Sequence, residues 1–146
     1  MRGKVKYKLV NTTDPIFEPT RKHPGDAGAD LRARIDHPLL LHPESIVKIP
    51  TGIAVEIPPG HVGLVFPRSG ASSEGKAALI GIIDSGYRGE IFMSISNIID
   101  RTLTIEPNER LAQLVIFPYF IARFFKVDEL SGSDRGVDGF GSTGKF

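Results

Sequence analysis

The amino-acid sequence predicts an all-β sandwich or barrel. Three observations lead there. Apolar residues come in short runs, several of them alternating with polar ones at the period of a strand. The 16 glycines and 11 prolines fall between those runs as turn signals. No long segment carries the 3.6-residue period of an amphipathic helix.

In chain order, "KVKYKLV" opens with Val5, Tyr7 and Leu9 on one face and Lys4, Lys6 and Lys8 on the other, a half-buried strand with a charged outer side. "LRARI" repeats the alternation, setting Leu31, Ala33 and Ile35 against Arg32 and Arg34. "GIAVEI" and "VGLVF" are strands separated by the turn signal "PPGH". One helical turn is placed near "ASSEGK". "ALIGII", "EIFMSIS", "TLTIE", "LAQLVIF" and "YFIARFF" complete the strands, with turns at "DSGYRG", "IIDR" and "EPNE". After Leu130 the composition changes to "SGSDRGVDGFGSTGKF", a Gly/Ser-rich tail with almost nothing to bury. The expected organisation is therefore a β domain over 1–130 and a flexible arm over 131–146.

Gross composition excludes several function classes. A net charge of +1 gives no bulk attraction to nucleic acid or to an anionic membrane. The basic residues are interspersed with acidic ones, so neither partner is expected. Without cysteine there is no disulfide framework and no thiolate metal site. No apolar run approaches a membrane span, and "MRGKVKYKLV" lacks a signal-peptide core. The expected location is cytoplasmic, with nuclear or organellar compartments left open.

Five stretches carry chemistry-bearing residues. "DAGADLRA" sets Asp26 and Asp30 around a glycine before a strand. Asp30 is either a water-mediated partner for a hard cation or part of an Asx-type turn. In "FPRSGAS", Arg68, Ser69 and Gly70 present a guanidinium, a hydroxyl and an unobstructed N–H in succession. That is an anion clamp or an ion-paired surface turn. "GIIDSGYRGEI" reads as a β-hairpin with Asp84 at its apolar mouth, placed to orient a water or to serve the turn backbone. Tyr87 in the same turn can lie flat against a sugar. In "NERLAQLVI", Gln113 interrupts an apolar run and needs partners, either phosphate oxygens or backbone. The tail "GFGSTGKF" nearly matches a P-loop but ends at Phe146, with no helix to follow. Its glycines, hydroxyls and Arg135 still suit phosphate, and Phe140 suits stacking on a flat ligand; the alternative is a frayed tail. The four histidines show no ligand spacing and read as surface residues.

In this order, "DAGADLRA", "PRSGAS", "GIIDSGYRGE", "NERLAQLVI" and "RGVDGFGSTG" resemble the five motifs of the trimeric dUTP diphosphatase (dUTPase) family, over residues 26–144. The resemblance implies a jelly-roll-like fold and a homotrimer with sites at subunit interfaces. The flexible Gly-rich arm would close over a neighbour's site as a lid. It implies that dUTP and water give dUMP and pyrophosphate, with Asp84 as the general base. Tyr87 would pack under the deoxyribose. Gly81, Phe92 and Ile83 would form the uracil slot. Ser69, Gly70 and Gln113 would hold the α- and β-phosphates, and Arg68 would brace them. Arg135, Gly141, Ser142 and Thr143 would grip the γ-phosphate, while Phe140 stacks on uracil. Mg²⁺ would bridge the phosphates, with Asp30 reaching it through water. The chain departs from the family pattern at Ala71, Ala78 and Asp138. With Ala78 where many relatives have Asn, uracil recognition falls to the backbone. The competing readings are a dCTP deaminase-like enzyme and a non-catalytic nucleotide-sensing module on the same fold. "IFMSISN" offers no carboxylate beyond Glu90 for deamination.

Overall fold

The computed structural model describes residues 3–137. Among the described residues, eleven strands and one short α-helix make it an all-β structure. The strands are β1 (Lys6–Leu9), β2 (Ala29–Arg32), β3 (Leu39–Leu41), β4 (Ile46–Pro50), β5 (Ile53–Glu56) and β6 (His61–Pro67). After helix α1 (Ser69–Ser73) come β7 (Lys76–Ala78), β8 (Gly81–Ile83), β9 (Phe92–Asn97), β10 (Leu103–Ile105) and β11 (Arg110–Pro118). A 3-10 turn at Pro15–Phe17 is capped by the Asp14 carboxylate, which accepts from the Ile16 N–H.

Four antiparallel groupings organise the chain. The largest sheet runs β2-β11-β6-β8, a second runs β4-β9-β7, and β1-β5 and β3-β10 form two-stranded ribbons. Leu31, Ile53, Ile91, Met93, Ile95 and Leu111 are almost completely removed from solvent and form one contiguous core with their neighbours. Each such side chain stabilises the fold by about 1.5–3 kcal/mol through burial. The alternation in "LRARI" is obeyed: Leu31 and Ala33 are buried while Arg32 and Arg34 lie nearer the surface.

Several expectations need correction. Tyr7, expected on the inner face of β1, is 44% exposed, although Val5 and Leu9 on the same face pack against the core. "ALIGII" is two strands in different sheets, broken where Leu79 and Ile80 turn outward. The stretch around Asp84 is not a hairpin ladder. β8 pairs with β6, whereas β9 pairs with β4 and β7, so the turn crosses between sheets. "YFIARFF" forms no strand. Pro118 ends β11 without an N–H to donate, and Phe120, Phe124 and Phe125 stand in solvent. Strands β3 and β4 go beyond the sequence reading, since "PLLLHPESIVKIP" does not alternate cleanly. The helical turn expected near "ASSEGK" is α1, which begins two residues earlier than that stretch.

Candidate functional site

Two groups of the expected residues come together, each around its own cavity. The first is built where β6 ends. Pro67 closes the strand, and Arg68 adopts an extended conformation as the cap of α1, with no side-chain acceptor for the helix N–H groups. The N–H groups of that first turn, at Ser69 and Gly70, have no partner within the helix. The Arg68 guanidinium is instead held sideways. Its Nε forms an ion pair with Asp30 Oδ1 at 2.7 Å, and its Nη1 donates to the Arg110 carbonyl at 3.2 Å. Arg110 Nη1 donates to the other oxygen of Asp30 at 3.2 Å. Asp30 thus fixes two guanidiniums with one carboxylate, and the surplus positive charge favours an anion.

Gln113 sits opposite Asp30 on β2 and opposite Phe66 on β6, so it shares a face with Asp30 across the ladder. Its Nε2 donates to the Pro67 carbonyl at 3.0 Å, which leaves one amide N–H and the amide oxygen to offer a ligand. Gly28 lies directly against this side chain; a Cβ there would fall 2.9 Å from Gln113 Cβ. Gly28, Asp30, Arg68, Ser69 and Gln113 line a cavity of about 390 Å³. The Asp26 carboxylate accepts from the His23 N–H, three residues earlier in the same loop.

The second group surrounds a cavity of about 230 Å³ lined by Lys48, Ile82, Ile83, Asp84, Tyr87 and Phe92. Gly81 begins the strand that leads into it, opposite Val65. The turn is closed by the Tyr87 N–H donating to the Asp84 carbonyl at 3.0 Å. Tyr87 Oη donates to the Glu90 carbonyl at 2.9 Å, which lays the ring across Gly89. Only glycine fits beneath it, because a Cβ would stand 2.6 Å from Tyr87 Cζ. Behind the turn the Glu90 carboxylate is nearly buried. It accepts from Arg34 Nε and Nη2 at 3.0 and 3.1 Å, from the Gly52 N–H at 2.7 Å and from Asn11 Nδ2 at 3.4 Å. Lys48 Nζ lies 4.3 Å from the centre of the Phe92 ring, a cation–π contact at the cavity wall. Asp84 is exposed at the mouth of this cavity.

Within one chain these groups do not meet. Ile83, next to Asp84, pairs with Gly63 on β6, and Arg68 lies five residues further on, just past the end of that strand. At the rise of an extended chain that is roughly 17 Å. Arg135 is exposed in the tail; Phe140, Gly141, Ser142 and Thr143 lie outside the described residues. Arg110, Gly28 and Lys48 are site residues that the sequence reading missed. Arg110 stands three residues before Gln113 in the same motif, a signal that could have found it; for Lys48 the sequence carries none. Among the described residues no three acidic or histidine side chains cluster as a metal site, and no helix is long and apolar enough to cross a membrane.

Known proteins resemble this chain over nearly its whole length. The dUTPase family model matches residues 14–144. The deoxyuridine 5'-triphosphate nucleotidohydrolase of Desulfitobacterium hafniense is 43% identical over 145 residues, covering 97% of this chain and 96% of that protein. The enzyme of the same name from Leptothrix cholodnii is 44% identical over 149 residues, covering 99% of each. Among solved structures, the dUTPase of Staphylococcus bacteriophage 80alpha with dUpNHpp superposes with a TM-score of 0.86 at 31% identity, covering 98% of this chain and 99% of that one. A mutant dUTPase from phage phi11 of S. aureus, described as coordinating a structural Mg(II) ion, gives 0.75 at 30% identity over 87% of this chain and 98% of its own. The all-β architecture is accordingly the jelly roll that the five motifs implied. The family match runs from residue 14 to the last glycine of the tail, and the chain belongs to the dUTPase family.

Proposed function

We propose that this chain hydrolyses dUTP to dUMP and pyrophosphate in a site assembled from several copies of itself, a homotrimer. The observation that carries the proposal is the division of the site. An exposed carboxylate beside an apolar slot and an arginine-rich clamp sit at opposite ends of β6, and neither suffices alone. A neighbouring copy that brings its clamp to this chain's slot completes both.

In the assembled site, Asp84 accepts a proton from water as the water oxygen attacks the α-phosphorus. The bond from that phosphorus to the bridging oxygen breaks, and pyrophosphate leaves. Tyr87, pinned by Glu90, packs against the deoxyribose, where a 2′-hydroxyl would clash. The backbone of Gly81 and Phe92 reads uracil, with Ile83 as a wall. Ser69, Gly70 and the free amide N–H of Gln113 donate to the α- and β-phosphates, and Arg68 braces them through its bond with Asp30. The arm, with Arg135, Phe140, Gly141, Ser142 and Thr143, grips the γ-phosphate and covers the base, excluding water.

Mg²⁺ fits this site as part of the substrate. Both oxygens of Asp30 are already paired with arginines, so its remaining lone pairs suit a water on the ion better than the ion itself. Such an ion would neutralise phosphate charge as the transition state forms.

The test is a panel of dUTP, UTP, dTTP and dCTP with Mg²⁺, followed by assay of pyrophosphate and ammonia. Pyrophosphate from dUTP alone is expected. Ammonia from dCTP would overturn the assignment in favour of a deaminase. Asp84→Asn is expected to bind dUTP yet lose at least about 10³-fold in kcat; turnover near the wild-type rate would remove Asp84 from the general-base role.

A further inference from the structure

Lys76 is an unusual residue to find inside this protein. It is only 7% exposed, although lysine is almost never buried without a partner. Its Nζ bonds Glu109 Oε1 at 2.5 Å, and a solvent-exposed Glu74 carboxylate lies 3.5 Å away. The exposed contact adds little. The inner one joins two segments that are 33 positions apart in sequence.

Those segments are the two that deliver the anion clamp. Lys76 begins β7, directly after the α1 turn that presents Ser69 and Gly70. That turn is pinned at its end by Gly75, whose φ of +96° and contact with Ile99 leave no room for a side chain. On the other side, Glu109 closes the turn before β11. Its Oε2 accepts from the Glu106 N–H at 2.8 Å, and its carbonyl accepts from the Ala33 N–H at 2.8 Å. The next residue is Arg110, which grips Asp30 and whose carbonyl receives Arg68. Asn108 belongs to the same turn, and its carbonyl accepts from Arg32 Nη1 at 2.9 Å. One buried ammonium therefore ties the Ser69–Gly70 turn to the Arg110–Asp30–Arg68 chain.

We propose that Lys76, through Glu109, is a positioning residue for the phosphate-binding half of the site. It sets the distance between the N–H donors of α1 and the guanidiniums, and does not touch substrate. The proposal rests on the dUTP-hydrolysing reading. Its mechanism is selective: loosening the pair spreads the clamp and leaves the Asp84–Tyr87 slot unaltered, since that slot is held by Glu90 and Arg34. Phosphate recognition should suffer while nucleoside recognition does not.

The test compares the wild-type full chain with Lys76→Met and Glu109→Gln. Because Lys76→Met strands a half-buried carboxylate, the double variant Lys76→Met/Glu109→Gln, which has no charge to strand, is measured beside it. The readouts are steady-state kinetics on dUTP, inhibition by inorganic pyrophosphate, and inhibition by deoxyuridine. In all variants that keep the wild-type assembly, inhibition by pyrophosphate is expected to weaken about tenfold and the KM for dUTP to rise comparably. Inhibition by deoxyuridine should stay within about twofold. Equal weakening toward pyrophosphate and deoxyuridine would show a general structural role and overturn the proposal, as would unchanged pyrophosphate inhibition in the folded double variant. If wild-type protein releases no pyrophosphate from dUTP, the functional reading itself fails, and pyrophosphate binding by the variants still reports on the clamp.

Discussion

Glu90→Gln is the sharpest probe of how the slot is held, because it changes one atom of a nearly buried group. The Glu90 side chain is 8% exposed, and that of Arg34 is 25% exposed. Glutamine can keep its amide oxygen at the Oε1 position, so the bonds from Arg34 Nε and the Gly52 N–H survive. Its amide nitrogen then faces Arg34 Nη2 and Asn11 Nδ2, both donors, where Oε2 had accepted. One ion-paired bond and one long bond from a neutral amide to the carboxylate are lost, and a guanidinium loses its counter-charge. Losing a charge-assisted bond costs about 1.5–3 kcal/mol, and breaking a buried pair about 3–5 kcal/mol. The partial exposure of Arg34 places this case at about 2–3 kcal/mol. For a chain of this size that lowers the melting temperature by about 5–10 °C. Thermal unfolding followed by circular dichroism measures it, alongside kcat at a temperature where both forms are folded. A Tm within about 1 °C of wild type would refute the reasoning, by showing that Glu90 is not a stabilising anchor. A large Tm loss with unchanged kcat would show that the anchor does not govern the Tyr87–Asp84 turn.

Other outcomes are expected on the same grounds. Gly28→Ala places a Cβ 2.8 Å from Gln113 Cδ and should displace that side chain, costing about 1–3 kcal/mol and raising KM for dUTP about tenfold; kinetics and urea unfolding check both. Asn97→Ala removes two donors to the Leu41 and Arg101 carbonyls, at 2.9 and 2.8 Å, and the acceptor for the Ile99 N–H, in a residue 2% exposed. A loss of about 3 kcal/mol in urea unfolding is expected, with the kinetic constants of the remaining folded protein unchanged. Deleting residues 134–146 should leave the assembly intact by sedimentation while reducing kcat/KM at least about 100-fold; an undiminished rate would show that the arm plays no part in turnover.

How far the chemistry can be read without coordinates depends on whether it is local. Asp84, Tyr87, Arg68 and Ser69 are suggested as candidates by their immediate neighbours, and the structure places them beside two cavities. The alternation in "LRARI" holds because one face of β2 meets the core. What fails needs distant partners. The stretch around Asp84 looks like a hairpin in isolation, yet β8 is claimed by β6 and β9 by β4 and β7. "YFIARFF" has strand-forming side chains but no backbone beside it. Lys76, in "EGKAAL", reads as a surface lysine; its burial follows from Glu109, which only folding brings near. Gln113 shows the intermediate case. Its polarity in an apolar run announces a partner, and the structure supplies the Pro67 carbonyl at 3.0 Å.

Strand β6 acts as a ruler between the two halves of the proposed site. A residue inserted within His61–Pro67 would lengthen that ruler by about 3.3 Å and invert the inside–outside alternation beyond the insertion. Val65, now sealed in the core, would exchange places with a half-exposed neighbour. Evolution can therefore vary length in the "PPG" corner before this strand far more freely than in the seven residues that set the gauge.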